Sequence, residues 1–483
     1  MRTRYIILIA ALLPVLGACS KSELNLYPYN AEEQTQAFNT EEDMTLAIRG
    51  MYYGIRASGS YYNGNWNIIA DAMSDNLIIS QAGRKSLNDY QKWNLKPGAT
   101  EYLLFSGGYT MARRANAILE NVDRFPAGAF HDNAKGEALA IRGMVYFDMS
   151  RVYGKTYTNA TDADLTIPYV TTTDPTILPG KEPVKGFYDK VLADLNQALP
   201  LINANNGTGR LNKAAVAGLL SRVNLYKGDY AAVITAANTA LGTNPDLPGI
   251  AGFPQIWTDE KENGVLFKIY NTAQDNINTP GVNYYQRIPG PIPGVPEIKS
   301  EYVVEYNFMQ LFADNDIRKS TYIRTSLLAG SLYNNVIKYN GGVGKALGVC
   351  DAKVLRTAEV LLNRAEAYYK TGNEAAALAD LNLLKANRYT GFTNITLSGQ
   401  ALLDEIYKER RIELAFEGDR FWDLKRRHLP IQRDATKGDK ADGSGLSYVP
   451  TAVTLDVNDY RFQLPIPITE TNFNKNLAQN PGY

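Results

Sequence analysis

Apolar residues recur at three- and four-residue spacing through long stretches of this chain, the period of an amphipathic helix. Over Glu41–Arg56 the repeating positions are Met44, Ala47, Ile48, Met51 and Tyr52, and Thr40 is placed to cap the helix. The same spacing predicts helices over Leu104–Val122, Asp132–Val152, Gly186–Leu201, Asn212–Lys227 and Tyr230–Leu241. Between these stretches the pattern breaks. Residues 156–183 are rich in Thr, Asp and Pro, and 244–349 hold many of the prolines and glycines, including the run Pro289–Pro296. Short β runs are predicted inside the second of these, at Gly264–Tyr270 and Asn335–Tyr339.

Three segments, 137–154, 214–241 and 354–388, share an alanine-rich helical look. The last two repeat Leu-Leu-x-Arg (Leu219–Arg222 and Leu361–Arg364), followed by an aromatic residue, a Gly-containing turn and a second alanine-rich helix. This resembles tetratricopeptide (TPR) helix pairs, in which small residues let helices approach and Gly closes the turn. The spacing excludes a plain solenoid. Arg142 and Arg222 are 80 residues apart and Arg222 and Arg364 are 142 apart, against a repeat of about 34. The pairs are therefore interrupted by insertions. Residues 436–446, rich in Gly, Asp and Lys, read as a surface loop, and Leu464-Pro465-Ile466-Pro467 is extended because each proline removes an N–H and restricts its predecessor.

Charge narrows the function. Fifty basic and 50 acidic residues cancel, so no basic excess is present to hold a phosphate backbone. Enzyme signatures are thin: the two histidines, His131 and His428, lie far apart, and neither a zinc-spaced Cys/His set nor a nucleophile elbow is present. The Gly341–Ala346 stretch lacks the spacing and the hydroxyl residue of a phosphate loop. Asp71, Asp75 and Asp89 lack calcium-loop spacing. No cofactor is implied. Cys350 has no cysteine to pair with once Cys19 is modified, and reads as a small buried residue.

The ends name a system. Arg2 and Arg4 precede an apolar stretch, Tyr5–Val15, too short to span a bilayer, and Leu16-Gly17-Ala18-Cys19 has the form of a lipobox. Near the other end stand two segments, Ile406–Arg427 and Tyr460–Tyr483. Together these features resemble the SusD/RagB family, surface nutrient-binding lipoproteins of Bacteroidetes outer membranes. Within the first segment Arg410, Arg411, Glu413, Glu417, Gly418, Arg420 and Asp423 match the family pattern. The resemblance implies a mainly α fold, with TPR-like pairs over about 40–240 and 350–430 and a loop-rich ligand-facing region over about 245–350. It implies a signal peptide at 1–18, lipidation at Cys19, a tether at 19–39 and a single domain at 40–483. It further implies non-catalytic capture of a glycan and its delivery to a SusC-like TonB-dependent transporter. Some relatives capture peptides, and a lipid-anchored TPR-like scaffold is a further alternative. One departure stands out: Ser20–Glu23 contains a single acid.

Candidate ligand-binding residues are loop aromatics with polar neighbours: Tyr61, Tyr62 and Trp66; Arg84, Tyr90 and Trp93; Tyr284 and Tyr285. Flat rings suit the apolar face of a sugar, and polar groups beside them suit its hydroxyls. In the segment ending at Arg427, Arg410 falls in an apolar stripe with Leu403, Ile406, Tyr407 and Leu414, so it requires a carboxylate or carbonyl partner. Glu413 with Glu417 could form an acid pair; the expected role of these carboxylates is instead a buried salt-bridge network.

Overall fold

The computed structural model describes residues 37–57, 61–85, 87–99, 103–272, 274, 284, 286–288, 290–291 and 297–483. The signal segment, Cys19, most of the tether and Tyr285 lie outside the described residues. Residues up to Leu46 and residues Ala47–Tyr483 form separate units. In the first, Thr40 caps α1 (Glu41–Ala57) reciprocally with Asp43: the Asp43 N–H donates to Thr40 Oγ1 at 3.2 Å and the Thr40 N–H to Asp43 Oδ2 at 2.8 Å.

In the second unit the longer helices are α2 (Trp66–Met73), α3 (Leu103–Asn121), α4 (Ala129–Tyr153), α5 (Val184–Leu201), α6 (Lys213–Lys227), α7 (Tyr230–Leu241), α8 (Thr357–Lys370), α9 (Glu374–Ala386), α10 (Gly399–Glu413) and α11 (Arg420–Arg426). Consecutive helices pack as antiparallel neighbours, α3 on α4, α4 on α5, α6 on α7 and α8 on α9, and α7 joins the two TPR-like pairs by packing on α8. Both pairs turn in the same way. Gly228 and Gly372 take left-handed backbone, with φ of 78° and 84°, a conformation that glycine adopts without steric penalty. The next side chain, Asp229 or Asn373, then accepts the N–H of Ala232 or Ala376 at 3.1 Å and starts the second helix.

The shared Leu-Leu-x-Arg arginines act differently. Arg222 leaves its pair and clamps Glu359 at the start of α8, both bonds 2.6 Å. Arg364 stays within its pair, gripping Asp380 of α9 at 2.7 and 2.8 Å. The C-terminal segment is pinned to the end of α4. The Leu464 N–H donates to the Val152 carbonyl at 2.9 Å, and the Asn480 amide donates to the carbonyls of Tyr153 and Leu464 at 2.9 and 2.7 Å.

Short strands lie outside the helix pairs, among them β1 (Leu77–Ile79), β2 (Val265–Ile269), β3 (Tyr302–Val304), β4 (Ile323–Leu328), β5 (Ser331–Val336) and β6 (Ala352–Arg356). β1 pairs with β3, β2 with β6 and β4 with β5, all antiparallel. The β run predicted at Gly264–Tyr270 is β2. The run predicted at Asn335–Tyr339 instead begins at Ser331 and ends at Val336. A two-residue turn at Ala329-Gly330, with φ of 47° and 78°, pairs Leu328 with Ser331 and so sets the register. Among the described residues no helix is long and apolar enough to cross a membrane.

Candidate functional site

The aromatic residues picked from the sequence lie in the interior, and three of them, Tyr61, Tyr62 and Trp66, are brought together. Tyr61, Tyr62, Trp66, Tyr90, Trp93 and Tyr284 are each at most 3% exposed. The hydroxyls of Tyr61 and Tyr62 both donate to Asp148 of α4, the latter at 2.9 Å. Trp66 stacks on Trp422 of α11 with ring centroids 6.1 Å apart, and the Arg151 guanidinium lies 5.0 Å from its ring centroid. Trp93 donates its indole N–H to the Met73 carbonyl at 2.8 Å and is covered by Arg433 at 4.2 Å. The Tyr284 hydroxyl donates to the Asn67 carbonyl at 3.1 Å. The expectation that these six rings form a ligand platform is thereby corrected. α2 is buried on every face, and Tyr61, Tyr62 and Trp66 pack against Asp148 and Arg151 of α4 and Trp422 of α11. Rings packed on both sides and bonded internally offer no face to a sugar.

Arg84 is different. Its side chain is 46% exposed and ion-paired to Glu301 at 3.2 Å. It stands on loop 80–85, which is fastened from below. The Ser80 N–H donates to the Glu301 carbonyl at 2.9 Å, and the Gln81 N–H donates to Asp439 Oδ2 at 2.7 Å. Asp439 also accepts the Leu446 N–H at 2.7 Å, tying in the predicted surface loop at 436–446. The Ala441 N–H donates to Leu332 of β5 at 2.9 Å. Ile78, Val303, Leu328, Tyr333 and Tyr448 form the apolar floor under these pieces. Loop 80–85, the β4–β5 hairpin and loop 436–447 therefore share one rigid base. They present Arg84, Lys85 and Arg324 to solvent.

Below lies the charged network expected around α10. Arg410 finds three partners: Asn363 at 2.7 Å, Asp419 at 3.1 Å and Asp423 at 3.1 Å. Glu413 receives Arg356 at 2.7 Å, Arg388 at 2.9 and 3.0 Å and Arg318 at 3.3 Å. Glu417 takes Arg356 Nε at 2.8 Å and Lys338 at 2.7 Å. Burial alone would raise the Glu413 carboxyl, but Arg388 and Arg356 overcome it and hold the group well below the usual carboxylate range. A general acid needs the opposite shift, so Glu413 serves as an anchor for the chain. Asp75 is likewise neutralised, by Arg420 at 2.8 and 2.9 Å and Arg411 at 3.2 Å. Lys345, in the Gly-rich loop, pairs with Asp259 at 2.8 Å and Asp351 at 2.7 Å. Cys350 is buried, and burial pushes its thiol up to about 12. Among the described residues no cluster of His, Cys, Asp or Glu is arranged to hold a metal ion. The sequence reading passed over Asp148 and Glu301, which fix the aromatic cluster and the Arg84 loop; neither sits in a motif, and only the tertiary contacts reveal them.

The comparisons place this mainly helical scaffold. Residues 329–483 match the model of the SusD family, and residues 24–225 match a model described as starch-binding, associating with the outer membrane. The crystal structure of a SusD superfamily protein from Bacteroides thetaiotaomicron aligns with a TM-score of 0.79 at 26% identity, covering 92% of this chain and 100% of that one. That of a putative sugar binding protein from Bacteroides vulgatus aligns with a TM-score of 0.79 at 26% identity, covering 93% and 100%. SusD-like protein P38 of Formosa agariphila is 24% identical, over 89% of this chain and 91% of its own. The chain belongs to the SusD/RagB family.

Proposed function

We propose that this protein is a non-catalytic surface lipoprotein that binds a glycan and delivers it to a SusC-like TonB-dependent transporter. One observation carries the reading: a chain with this fold matches, over residues 24–225, a family described as starch-binding and associating with the outer membrane. A structural relative described as a putative sugar binding protein supports it. In this reading residues 1–18 direct export and Cys19 carries the lipid, whose acyl chains contribute about 0.8 kcal/mol per buried CH₂ to anchoring. The ligand meets the surface around loop 80–85. There Arg84 donates hydrogen bonds to sugar hydroxyls.

The test is calorimetry on the full mature chain carrying Cys19→Ser, against plant, host and microbial glycans and a peptide digest. One glycan class should bind, and Arg84→Ala should weaken it roughly tenfold, the loss of one charge-assisted hydrogen bond. A signal with peptides and none with glycans would overturn the reading. Co-purification of the native lipoprotein with a β-barrel transporter checks the delivery step.

A further inference from the structure

A second cleft, of about 410 Å³, shares no lining residue with the loop surface. It opens where α1 beyond Ala47, the turn at 207–210 and the end of β2 meet. Its volume lies within the range of small-ligand sites, roughly 300–1,000 Å³. Two tyrosines of its lining, Tyr53 and Tyr270, remain 49% and 48% exposed. Tyr270 is held in place. Alternation along β2 sends Phe267 and Ile269 into the core, which leaves Lys268 and Tyr270 on the other side. The Tyr270 ring lies against Gly209 so closely that a Cβ there would stand 2.0 Å from a ring carbon. The Lys268 ammonium sits 4.4 Å from the same ring centroid and is fixed by Asp351 at 2.8 Å.

Three guanidinium groups line the same cleft, and none of its lining residues is acidic. Arg56 lies 4.9 Å over the Tyr53 ring. Arg210 is clamped through Nε and Nη2 by fully buried Glu137, which the Tyr52 hydroxyl also reaches, at 2.7 Å; Nη1 takes no part in that clamp. Arg49 is exposed, and among the described residues no carboxylate pairs with it. Rings offer a surface to the C–H face of a sugar, and guanidinium groups match the planar oxygens of a carboxylate or the oxygens of a sulfate. We propose that this cleft is a second saccharide site, separate from the loop surface, that takes a sugar unit bearing a negative charge.

Calorimetry on the mature chain with Cys19→Ser decides it, using oligogalacturonate, a sulfated galactan oligosaccharide and neutral galactan. One or both acidic ligands should bind, and neutral galactan should not bind at this cleft. Which of the two binds assigns the charge to carboxylate or to sulfate. Tyr270→Ala and Arg49→Gln should each weaken binding by roughly tenfold. Arg84→Ala should leave this binding unchanged, whatever it does at the loop surface. Affinity should fall as salt rises from about 50 to about 300 mM. Thermal unfolding of each variant should match the parent, because both side chains are substantially exposed. The proposal is overturned if neither acidic ligand binds, if binding survives both substitutions, or if polyglutamate of equal charge binds as well as the saccharide.

Discussion

Arginine does opposite things in two regions of this molecule. Around α10, Arg388 is fully buried. It meets Glu413 through two nitrogens, donates to the carbonyls of Pro248 and Asn387 at 2.9 Å each, and lies 4.0 Å over the Phe253 ring. On the loop surface, Arg84 reaches Glu301 at 3.2 Å and leaves nearly half its side chain in water. Buried guanidinium groups must be fully compensated, because desolvation of an unpaired charge costs several kcal/mol. An exposed guanidinium is screened by water and contributes less to stability. Burial, more than residue type, decides which arginines hold the chain and which can meet a ligand.

The comparison breaks most sharply at Glu413. Glu413→Ala leaves Arg388 without a carboxylate and removes one partner each from Arg356 and Arg318. The expected loss is about 3–5 kcal/mol, read as a lower urea midpoint. Arg84→Ala should move the same midpoint less, because it removes one partner from a single buried carboxylate, Glu301.

Acid attacks the same network more gradually. Burial alone would raise the Glu409 carboxyl, but Arg318 and Lys385 hold it down to about 2. A carboxyl depressed in the folded state stabilises fully above its unfolded value of about 4.3. Stability should therefore fall as pH drops from about 4.3 through about 2. Urea titrations across that window check this, and Glu409→Gln should flatten the dependence. The smallest effect is expected in the turn of the second helix pair. Gly372 has a φ of 84° and open space where a Cβ would stand. Gly372→Ala should therefore cost about 1 kcal/mol from backbone conformation alone.

Much of the scaffold was legible in the pattern of residues. The six helices read from periodicity are all present, with no end shifted by more than three residues. The requirement that Arg410 find carboxylates is met by Asp419 and Asp423. The aromatic site was not legible, for a physical reason. α2 is eight residues long and buried all round, so it carries no two-faced pattern to separate inside from outside. Tyr61-Tyr62 and Trp66 therefore look like loop residues until α11 is laid against them. Trp93 takes a φ of 51°, a left-handed geometry that bulky residues seldom adopt and that composition does not signal. Tyr270 carried a readable signal: it ends the alternating β run at 264–270, on the side opposite Phe267 and Ile269.

The Glu413 hub also has a meaning in time. Its three arginines lie 95, 57 and 25 residues earlier in the chain. The helix pairs close over short loops, whereas the hub gathers segments from distant parts of the sequence. Contacts of large sequence separation form late, after the loops that join them have been ordered. The hub therefore acts as a latch, setting how slowly the finished protein opens more than how quickly it folds.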